Sequence, residues 1–303
     1  MRLGAPVWPF QWHPPYEDAV RRIASLGFRD VELIAWNRQA LDDYYTPTRI
    51  RELRGLLSDL GLRLSEFVST GAGMAGAFAA ERDGAVEYFK RFCEVARELG
   101  TGTVNTVAPM PFGLRAPALK TLPVTQLWTM EVPQGLDWQC GWEEFVDTVR
   151  KVTTVVEDAG LRYAMEPHPY RYVANADGML RLVDHVPSPA LGINYDPSHT
   201  FPCGDMPHVA VYRLGSRVFH CHVSDNDALT NAHWRPGMGK IDWRALLQAL
   251  HAVGFDGTVS IELEDVPGVA NCEQPAGPRF DDEMRRSRDY LIAASEGLGI
   301  RWE

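Results

Sequence analysis

The amino-acid sequence predicts an α/β protein that folds as a single closed (β/α)8 barrel over residues 1–303. Three observations support this prediction. Apolar runs of strand length alternate with segments of helical periodicity, the alternation repeats eight times without a break, and most predicted helices are followed by glycine. Strict alternation implies a parallel sheet, and eight units suggest that the sheet closes. A doubly wound open sheet is the alternative, but no G-x-G-x-x-G follows the first predicted strand.

The first half of the chain contains four predicted strand–helix pairs. Each helix has apolar residues at helical spacing, and glycine is favoured just beyond a helix C-terminus. The glycine-rich segment 70–76 lacks the lysine of a P-loop and is interpreted as a loop over the barrel mouth. The strands are predicted at 3–8, 28–34, 62–68 and 103–107, and the helices at 16–26, 48–60, 83–99 and 141–159.

The second half of the chain is predicted to supply the remaining four pairs. Between the fourth strand and the fourth helix lies an irregular, proline-rich stretch, about 108–140, which carries Trp128 and Trp138. A loop of this length in a compact domain is usually functional, and its apolar residues favour an ordered lid or an association surface. The last four strands lead to Glu166, Asp196, His222 and Glu262, and the helices are predicted at 175–186, 207–214, 242–253 and 279–296.

The composition is that of a globular enzyme, with 45% hydrophobic and 23% charged residues and a formal net charge of -10. The acidic balance argues against a nucleic-acid surface, since phosphate binding needs a basic face. No apolar run is long enough to span a membrane, and the N-terminus shows no signal-peptide core. The five cysteines lack C-x-x-C spacing, which predicts free thiols and a cytoplasmic protein; they are Cys93, Cys140, Cys203, Cys221 and Cys272.

Four predicted strands of the second half run into an ionisable side chain. The intervals between these side chains, about 30, 26 and 40 residues, are those of successive βα units. A charged group on a buried strand is costly unless it is paired or binds a metal, and the carboxyl ends of barrel strands carry catalytic groups. The stretches are 163–168 (YAMEPH), 192–199 (GINYDPSH), 218–223 (VFHCHV) and 258–264 (TVSIELE), and the predicted metal ligands are Glu166, Asp196, His222 and Glu262.

Three carboxylates and one imidazole suit a hard or borderline divalent cation. Mn²⁺ is the first choice, with Mg²⁺, Co²⁺ and Zn²⁺ as alternatives, and the absence of thiolates and of a three-histidine set weakens the case for Zn²⁺. Four protein ligands leave two octahedral positions open for a bidentate substrate. For Asp196 alone, which precedes Pro197 and Ser198, a helix cap or an Asx turn is an equal alternative.

Further histidines lie beside the predicted ligands in the sequence. His199 is interpreted as a donor to a substrate oxygen, with a surface position as the alternative. His168 is interpreted as a contact to the substrate or to a ligand. In the seventh strand His220 shares a face with His222, because strand side chains alternate, and Cys221 therefore faces the helices. His220 is predicted to fill the barrel or to support a ligand rather than to bind the metal.

These motifs resemble those of the xylose isomerase-like TIM barrels, specifically the sugar phosphate isomerase/epimerase family, along nearly the whole chain. The resemblance implies that a divalent metal is held by the four predicted ligands. It also implies that Glu166 and Glu262 act as the acid/base pair and that His199 contacts the substrate. The similarity is carried by 165–168 (MEPH), 194–199 (NYDPSH), 220–227 (HCHVSDND), 235–243 (RPGMGKIDW) and 260–262 (SIE).

The chain departs from two branches of that family. Ketose 3-epimerases carry an arginine shortly after the strand-seven histidine, whereas 223–229 (VSDNDAL) has none, and this departure bears on 3-epimerisation itself. Apurinic-site endonucleases add histidines on earlier strands to hold three zinc ions, and the third and fourth predicted strands here end without histidine. His233 matches one of their loop ligands, but Asn231 stands where a carboxylate is expected. Nuclease activity is therefore not expected.

The predicted function is a metal-dependent sugar isomerase or epimerase that abstracts a proton next to a carbonyl. Elimination by a 3-keto-glycoside deglycosidase that works with a small second subunit is the leading alternative. An apurinic-site endonuclease and a non-catalytic sugar-binding barrel are the others. The chain is expected to form a homo-oligomer or to pair with that second subunit, and Arg171 and Arg235 are the nearby basic residues for a substrate phosphate. The predicted substrate contacts are His199, His168, Trp12, Trp36 and Arg235.

Overall fold

The computed structural model describes residues 1–71, 73–114, 132, 134–269 and 277–303. Eight parallel strands pair in sequence order, and the last strand also pairs with the first, so the sheet closes into a barrel. The predicted (β/α)8 fold is therefore confirmed. The strands are β1 Arg2–Pro6, β2 Asp30–Ala35, β3 Arg63–Ser69, β4 Thr103–Val107, β5 Arg162–Glu166, β6 Leu191–Tyr195, β7 Val218–Val223 and β8 Thr258–Ile261.

Helices connect the strands and surround the barrel. Most begin and end within a few residues of the predicted bounds, and the largest differences at a helix start are the four and three residues by which the helices at Ala79 and Trp138 begin early. The helices are α1 Glu17–Ser25, α2 Arg38–Tyr44, α3 Pro47–Leu60, α4 Ala79–Leu99, α5 Trp138–Asp158, α6 Ala176–His185, α7 Pro197–Thr200, α8 Pro207–Leu214, α9 Trp243–Ala252 and α10 Pro278–Ala294.

Helix α2 has no counterpart among the predicted elements. Its N-cap is Asn37, whose side chain accepts a hydrogen bond from Ala40 N at 2.8 Å. Within the helix Leu41 is the buried residue, so the repeated apolar spacing that marks a packed helix is missing from the sequence. The cap is therefore the main local signal for this helix.

Two helix ends show why glycine follows the predicted helices. Gly61 after α3 and Gly100 after α4 have φ values of 63° and 93°, in the left-handed region. Gly100 N donates to Ala96 O at 3.0 Å, which satisfies a carbonyl of the last turn. Because glycine has no Cβ, it adopts this conformation at little cost, and the helix ends there as predicted.

The interior of the barrel is polar near its carboxyl end. The strand register places Asn194 beside His220, and His222 beside Ser260. Glu32 of β2 bonds to both histidines of β7, so these side chains meet inside the barrel. Apolar side chains fill the layer between strands and helices. The buried polar groups are therefore free to support a site where the strands end.

Part of the predicted lid, about 108–140, lies outside the described residues, as do Trp128 and Cys272. Trp138 is exposed at the start of α5, and its ring centroid lies 5.2 Å from that of Tyr172. The lid thus stays a prediction. The four cysteines within the described ranges are free thiols. None of the helices in those ranges combines the length and the apolar content that a membrane crossing requires.

Candidate metal and catalytic site

The four predicted metal ligands lie at the carboxyl ends of β5 to β8. Glu166 is the last residue of β5, Asp196 and Glu262 directly follow β6 and β8, and His222 is the penultimate residue of β7. One ligand atom of each residue lies within 4.8 Å of the others, and all four residues are buried. The structure thus brings the four side chains together around one point, and we call them the upper cluster.

His222 presents its two ring nitrogens to different neighbours. Nδ1 lies 2.7 Å from Glu166 Oε1 and 3.1 Å from Glu262 Oε2. Nε2 lies 2.8 Å from Glu32 Oε2. A histidine that binds a metal through one nitrogen usually donates its other N–H to a carboxylate or a carbonyl. The geometry therefore suits Nδ1 as the ligand and Nε2–H as the donor to Glu32.

Asp196 divides its two carboxylate oxygens between two tasks. Oδ1 accepts a hydrogen bond from Ser198 N at 2.7 Å and caps the short helix α7. Oδ2 lies 3.5 Å from His233 Nε2 and 3.6 Å from His199 Nε2, and it is buried without a hydrogen bond from the described residues. From the sequence, helix cap and metal ligand are alternative roles for Asp196. In the structure its two oxygens allow both roles at once.

Glu262 is oriented by the indole of Trp8. Trp8 Nε1 donates to Glu262 Oε1 at 2.6 Å, and the Trp8 ring meets the His222 ring edge-on with centroids 5.8 Å apart. The other oxygen, Oε2, is buried and receives no hydrogen bond from the described part of the chain. One oxygen of Glu262 is therefore held by the protein, while the other faces Nδ1 of His222.

The upper cluster fits a divalent cation. Three carboxylates and one imidazole are donors that Mn²⁺ accepts, and this cluster includes the oxygens of Asp196 and Glu262 that receive no hydrogen bond from the described residues. A buried acceptor without a partner costs free energy, because it has lost its bonds to water. A bound cation would satisfy both oxygens at once. Which metal is bound stays a prediction.

The two glutamates of the upper cluster differ electrostatically. Burial raises the pKa of Glu166 to about 7, although the adjacent His222 opposes this shift. Burial acts on Glu262 in the same direction, but the charges of His222 and His233 outweigh it and hold the pKa of Glu262 well below its usual range. Before a cation binds, Glu166 is therefore the glutamate that holds a proton more readily.

His199 and His233 lie beside Asp196, and His168 packs on His199. His199 Nδ1 is 2.8 Å from Asn231 Oδ1, and its ring centroid is 3.5 Å from that of His168 and 4.6 Å from that of His233. Burial lowers the pKa of His199 to about 4, although the negative charge of Asp196 acts against the shift. Its ring is therefore neutral near pH 7. The structure places the predicted contacts His168 and His199 next to the upper cluster.

The remaining predicted substrate contacts have partners of their own. Trp12 and Trp36 are half-buried after β1 and β2, and their rings stack with centroids 4.1 Å apart. Trp36 Nε1 donates to Trp12 O at 2.6 Å. Arg235 Nε donates to Glu283 of α10 at 2.8 Å, so its charge is already paired. A substrate role for these three residues stays a prediction.

A second polar cluster lies beneath the upper one, and sequence reasoning missed its two carboxylates. Glu32 Oε1 is bonded to His220 Nε2 at 3.1 Å, and Glu66 Oε2 accepts a hydrogen bond from Asn105 at 3.0 Å. Burial would raise the pKa of Glu32, but His222 and His220 hold it well below its usual range. The sequence signal that could have identified Glu32 and Glu66 is an acidic residue within an otherwise apolar predicted strand. We call this set the lower cluster: Glu32, Glu66, His220 and His222.

The loop before α9 is fastened by Asp225. Its Oδ2 accepts hydrogen bonds from Gly237 N at 2.8 Å and from Trp243 Nε1 at 2.9 Å. A Cβ at Gly239 would collide with Asp225 Oδ1, so the close approach of the loop requires glycine there. The segment 235–243, which the sequence analysis singles out, is thus one structural unit with Asp225.

Comparisons with known proteins agree with this architecture. A profile of the xylose isomerase-like TIM barrel matches residues 20–290. Fructoselysine 3-epimerase of Escherichia coli O157:H7 is 27% identical over 125 residues, which cover 40% of this chain and 46% of the relative. D-psicose 3-epimerase of Ruminiclostridium cellulolyticum is 23% identical over 258 residues, which cover 84% of this chain and 80% of the relative.

A solved structure shows the same fold. The crystal structure of D-psicose 3-epimerase with D-tagatose, from Clostridium cellulolyticum H10, superposes with a TM-score of 0.75 at 18% identity and covers 97% of this chain and 99% of that chain. For the first curated relatives, the match spans about half of their length, 45% to 48%. Because the family profile covers most of the sequence and all four side chains of the upper cluster, the chain belongs to the xylose isomerase-like TIM barrel family.

Proposed function

We propose that this chain is a divalent-metal-dependent isomerase or epimerase of sugars or keto-sugars. The observation that carries the proposal is the convergence of two glutamates, Glu166 and Glu262, on Nδ1 of His222. Proton transfer at a carbon next to a carbonyl needs an acid and a base beside a centre that stabilises negative charge. The similarity to fructoselysine 3-epimerase and D-psicose 3-epimerase supports a sugar as the substrate.

The upper cluster would hold the cation through one oxygen of each carboxylate and through Nδ1 of His222. When bound, the cation would stabilise the negative charge that develops on the substrate oxygens. Glu32 keeps the His222 ring in place by accepting a hydrogen bond from Nε2–H, and Trp8 keeps Glu262 in place by donating to Oε1. All four side chains are buried, which keeps bulk water away from their ligand atoms.

Glu166 and Glu262 carry the proton steps. One carboxylate accepts the proton from the carbon next to the carbonyl, and the other, in its protonated form, returns a proton. In the reverse direction the two exchange roles. Return to the opposite face of the same carbon gives an epimer, whereas return to the neighbouring carbon gives an isomer. His199, which is neutral near pH 7, is suited to a hydrogen bond with a substrate oxygen.

Deuterium exchange tests this proposal. The Mn²⁺-loaded protein is incubated in ²H₂O with D-fructose, D-psicose and D-tagatose, and the sugars are analysed by NMR and mass spectrometry. We expect deuterium at the carbon next to the carbonyl and conversion between ketoses. Glu166→Gln and Glu262→Gln should slow both by about 10²- to 10⁴-fold, the usual contribution of a general acid or base. Glu87→Gln, an exposed change on α4, is the matched control.

Three outcomes would contradict the proposal. The first is a Glu262→Gln variant that exchanges deuterium as fast as the parent, which would remove this carboxylate from the mechanism. The second is release of the aglycone from 3-keto-glycosides without any interconversion of sugars, which would favour the deglycosidase. The third is incision of a DNA duplex at an apurinic site, which we do not expect.

A further inference from the structure

Two arginines lie near the barrel mouth, Arg171 after β5 and Arg235 after β7, and they differ in their partners. Arg235 donates from Nε to Glu283 at 2.8 Å and from Nη1 to Pro236 O at 3.2 Å. The side chain of Arg171 makes no ion pair, hydrogen bond or ring contact with any residue that the structure describes. Among the described residues, the charge of Arg235 is thus compensated by Glu283, whereas that of Arg171 meets no acidic partner.

Arg171 differs from the other partly buried arginines. Within the described ranges, every other half-buried arginine has an acidic or carbonyl partner. Arg82, for example, lies 2.9 Å from Glu144. Described arginines without such a partner, such as Arg29, are exposed to solvent. Arg171 therefore combines partial burial with guanidinium donors that no described residue accepts.

A tight turn holds Arg171 at the carboxyl end of β5. Arg171 N donates to His168 O at 3.3 Å, and His168 N donates to Val173 O at 3.2 Å. Tyr170, at the tip of the turn, has a φ of 67°, which a bulky side chain rarely adopts. The centroid of the His168 ring, from the same turn, lies 3.5 Å from the centroid of the His199 ring. The main chain of Arg171 is thus fixed next to His168, whose ring packs on His199 beside the upper cluster.

A half-buried guanidinium without a counter-charge is unfavourable. Removing a cation from water costs free energy unless a partner restores the lost interactions. Burial lowers the pKa of Arg171, and no charge from the described part of the chain contributes to the shift. Guanidinium groups bind carboxylates and phosphates through two parallel hydrogen bonds. An oxyanion is therefore the ligand that best supplies the missing partner.

We propose that Arg171 binds an oxyanion of the substrate, a phosphate ester or a carboxylate, and that it selects acidic sugars over neutral ones. This inference rests on the proposed function, because it takes a sugar to be the ligand of the upper cluster. The chain has a net charge of -10, so an acidic sugar needs a local cation to offset repulsion from the rest of the protein. Arg171 supplies that cation.

Binding measurements test this proposal without depending on turnover. The Mn²⁺-loaded protein is titrated in a calorimeter with D-fructose, D-fructose 6-phosphate, D-glucuronate and inorganic phosphate. We expect the phosphate ester or the uronate to bind about 10- to 100-fold more tightly than D-fructose, the range for hydrogen bonds between charged groups. Comparison of the two acidic sugars distinguishes phosphate from carboxylate. Arg171→Gln should abolish the preference, and Arg171→Lys should retain part of it.

Arg29→Gln is the matched control, because Arg29 is exposed just before β2, at the other end of the barrel, and the change removes the same charge. This variant should keep the preference. Equal binding of acidic and neutral sugars, or a preference that survives Arg171→Gln, would overturn the proposal. If neutral ketoses are epimerised without any preference for acidic sugars, the proposed function stands and this inference fails. If acidic sugars bind through Arg171 but no carbon exchanges deuterium, the inference stands and the proposed function fails.

Discussion

Glu32 of the lower cluster and the carboxylates of Asp196 and Glu262 in the upper cluster surround His222 but differ in how fully the protein satisfies their oxygens. In the lower cluster both oxygens of Glu32 are hydrogen-bonded, Oε1 to His220 and Oε2 to His222, whereas Oε1 of Glu66 receives no hydrogen bond from the described residues. In the upper cluster one oxygen each of Asp196 and Glu262 is buried without a hydrogen bond from the described residues. A carboxylate with complete bonds holds its neighbours in place, whereas one with an unused oxygen is available to a ligand. Glu32 therefore positions His222, whereas Asp196 and Glu262 each keep an oxygen for a ligand.

The largest effect on this comparison is expected from Asp196→Asn. The change keeps the oxygen that caps α7 but removes the charge of the carboxylate and replaces Oδ2 with an amide nitrogen. We expect the affinity for Mn²⁺ to fall by about 1000-fold or more, beyond the 10- to 100-fold typical of residues that only support a ligand. Isothermal titration calorimetry measures the loss, with the exposed change Asp177→Asn as control. An unchanged affinity would exclude Asp196 from the metal site.

A smaller effect is expected from Glu32→Gln. The amide can accept a hydrogen bond from one histidine, but its NH₂ group then meets the N–H of the other. The His222 ring loses its fixed orientation, and the affinity for Mn²⁺ should fall by about 10- to 100-fold, measured by electron paramagnetic resonance of the free ion. Glu66→Gln is the matched control, because Glu66 bonds to Asn105 instead. An equal loss in both variants would show that Glu32 has no special role.

The pH dependence of metal binding reports the charges that surround His222. Burial would lower the pKa of His222, but Glu32 and the two upper glutamates raise it well above its usual value. The metal-free ring is therefore protonated at pH 7, and binding through Nδ1 must release that proton. The affinity for Mn²⁺ should fall with decreasing pH, by about 10-fold per unit for each proton released. Calorimetry in buffers of different protonation enthalpy gives the number of protons released on binding. Binding of Mn²⁺ without proton release would contradict the assignment of His222 Nδ1 as a ligand.

The smallest effect is expected from Trp8→Phe, which keeps an aromatic ring and removes the donor to Glu262 Oε1. The rate of deuterium exchange should fall by about 2- to 10-fold, the loss of one hydrogen bond to a charged group, while the affinity for Mn²⁺ changes little. Trp302→Phe removes an indole bond to Ser295 near the C-terminus and is the matched control. Equal rates in both variants would show that the cation alone orients Glu262.

The barrel and the four strand ends could be predicted because their signals are local. Apolar runs, helical periodicity and helix-terminal glycines act over a few residues, and eight units then imply closure. Parallel strands end at one edge, so Glu166, Asp196, His222 and Glu262 were expected to meet, and the structure brings them within reach of one ion. Helix α2 escaped prediction because its cap is not followed by a buried apolar stripe.

Glu32 could not be assigned from the sequence, because its partners are distant. The bond to His222 joins residues 190 positions apart, and only closure of the barrel brings them together. The sequence of one strand does not show which of its faces points into the barrel. An acidic residue that alternates with apolar residues therefore resembles one that faces solvent. Both faces of a parallel barrel sheet are covered, however, and an acidic residue within such a strand is the usable clue. Likewise, the pairing of Arg235 with Glu283 is visible only in the fold.

The bonds of Asp225 have a consequence for the exchange of molecules with the barrel interior. Its carboxylate holds Gly237, Ile241 and Trp243, and its main chain pairs with that of Trp234 in both directions. Because so many hydrogen bonds hold segment 234–243, this part of the barrel rim is rigid and does not open as a lid. Substrate and product must therefore enter and leave past another part of the rim. Substitutions there, rather than in segment 234–243, will change how long they stay bound.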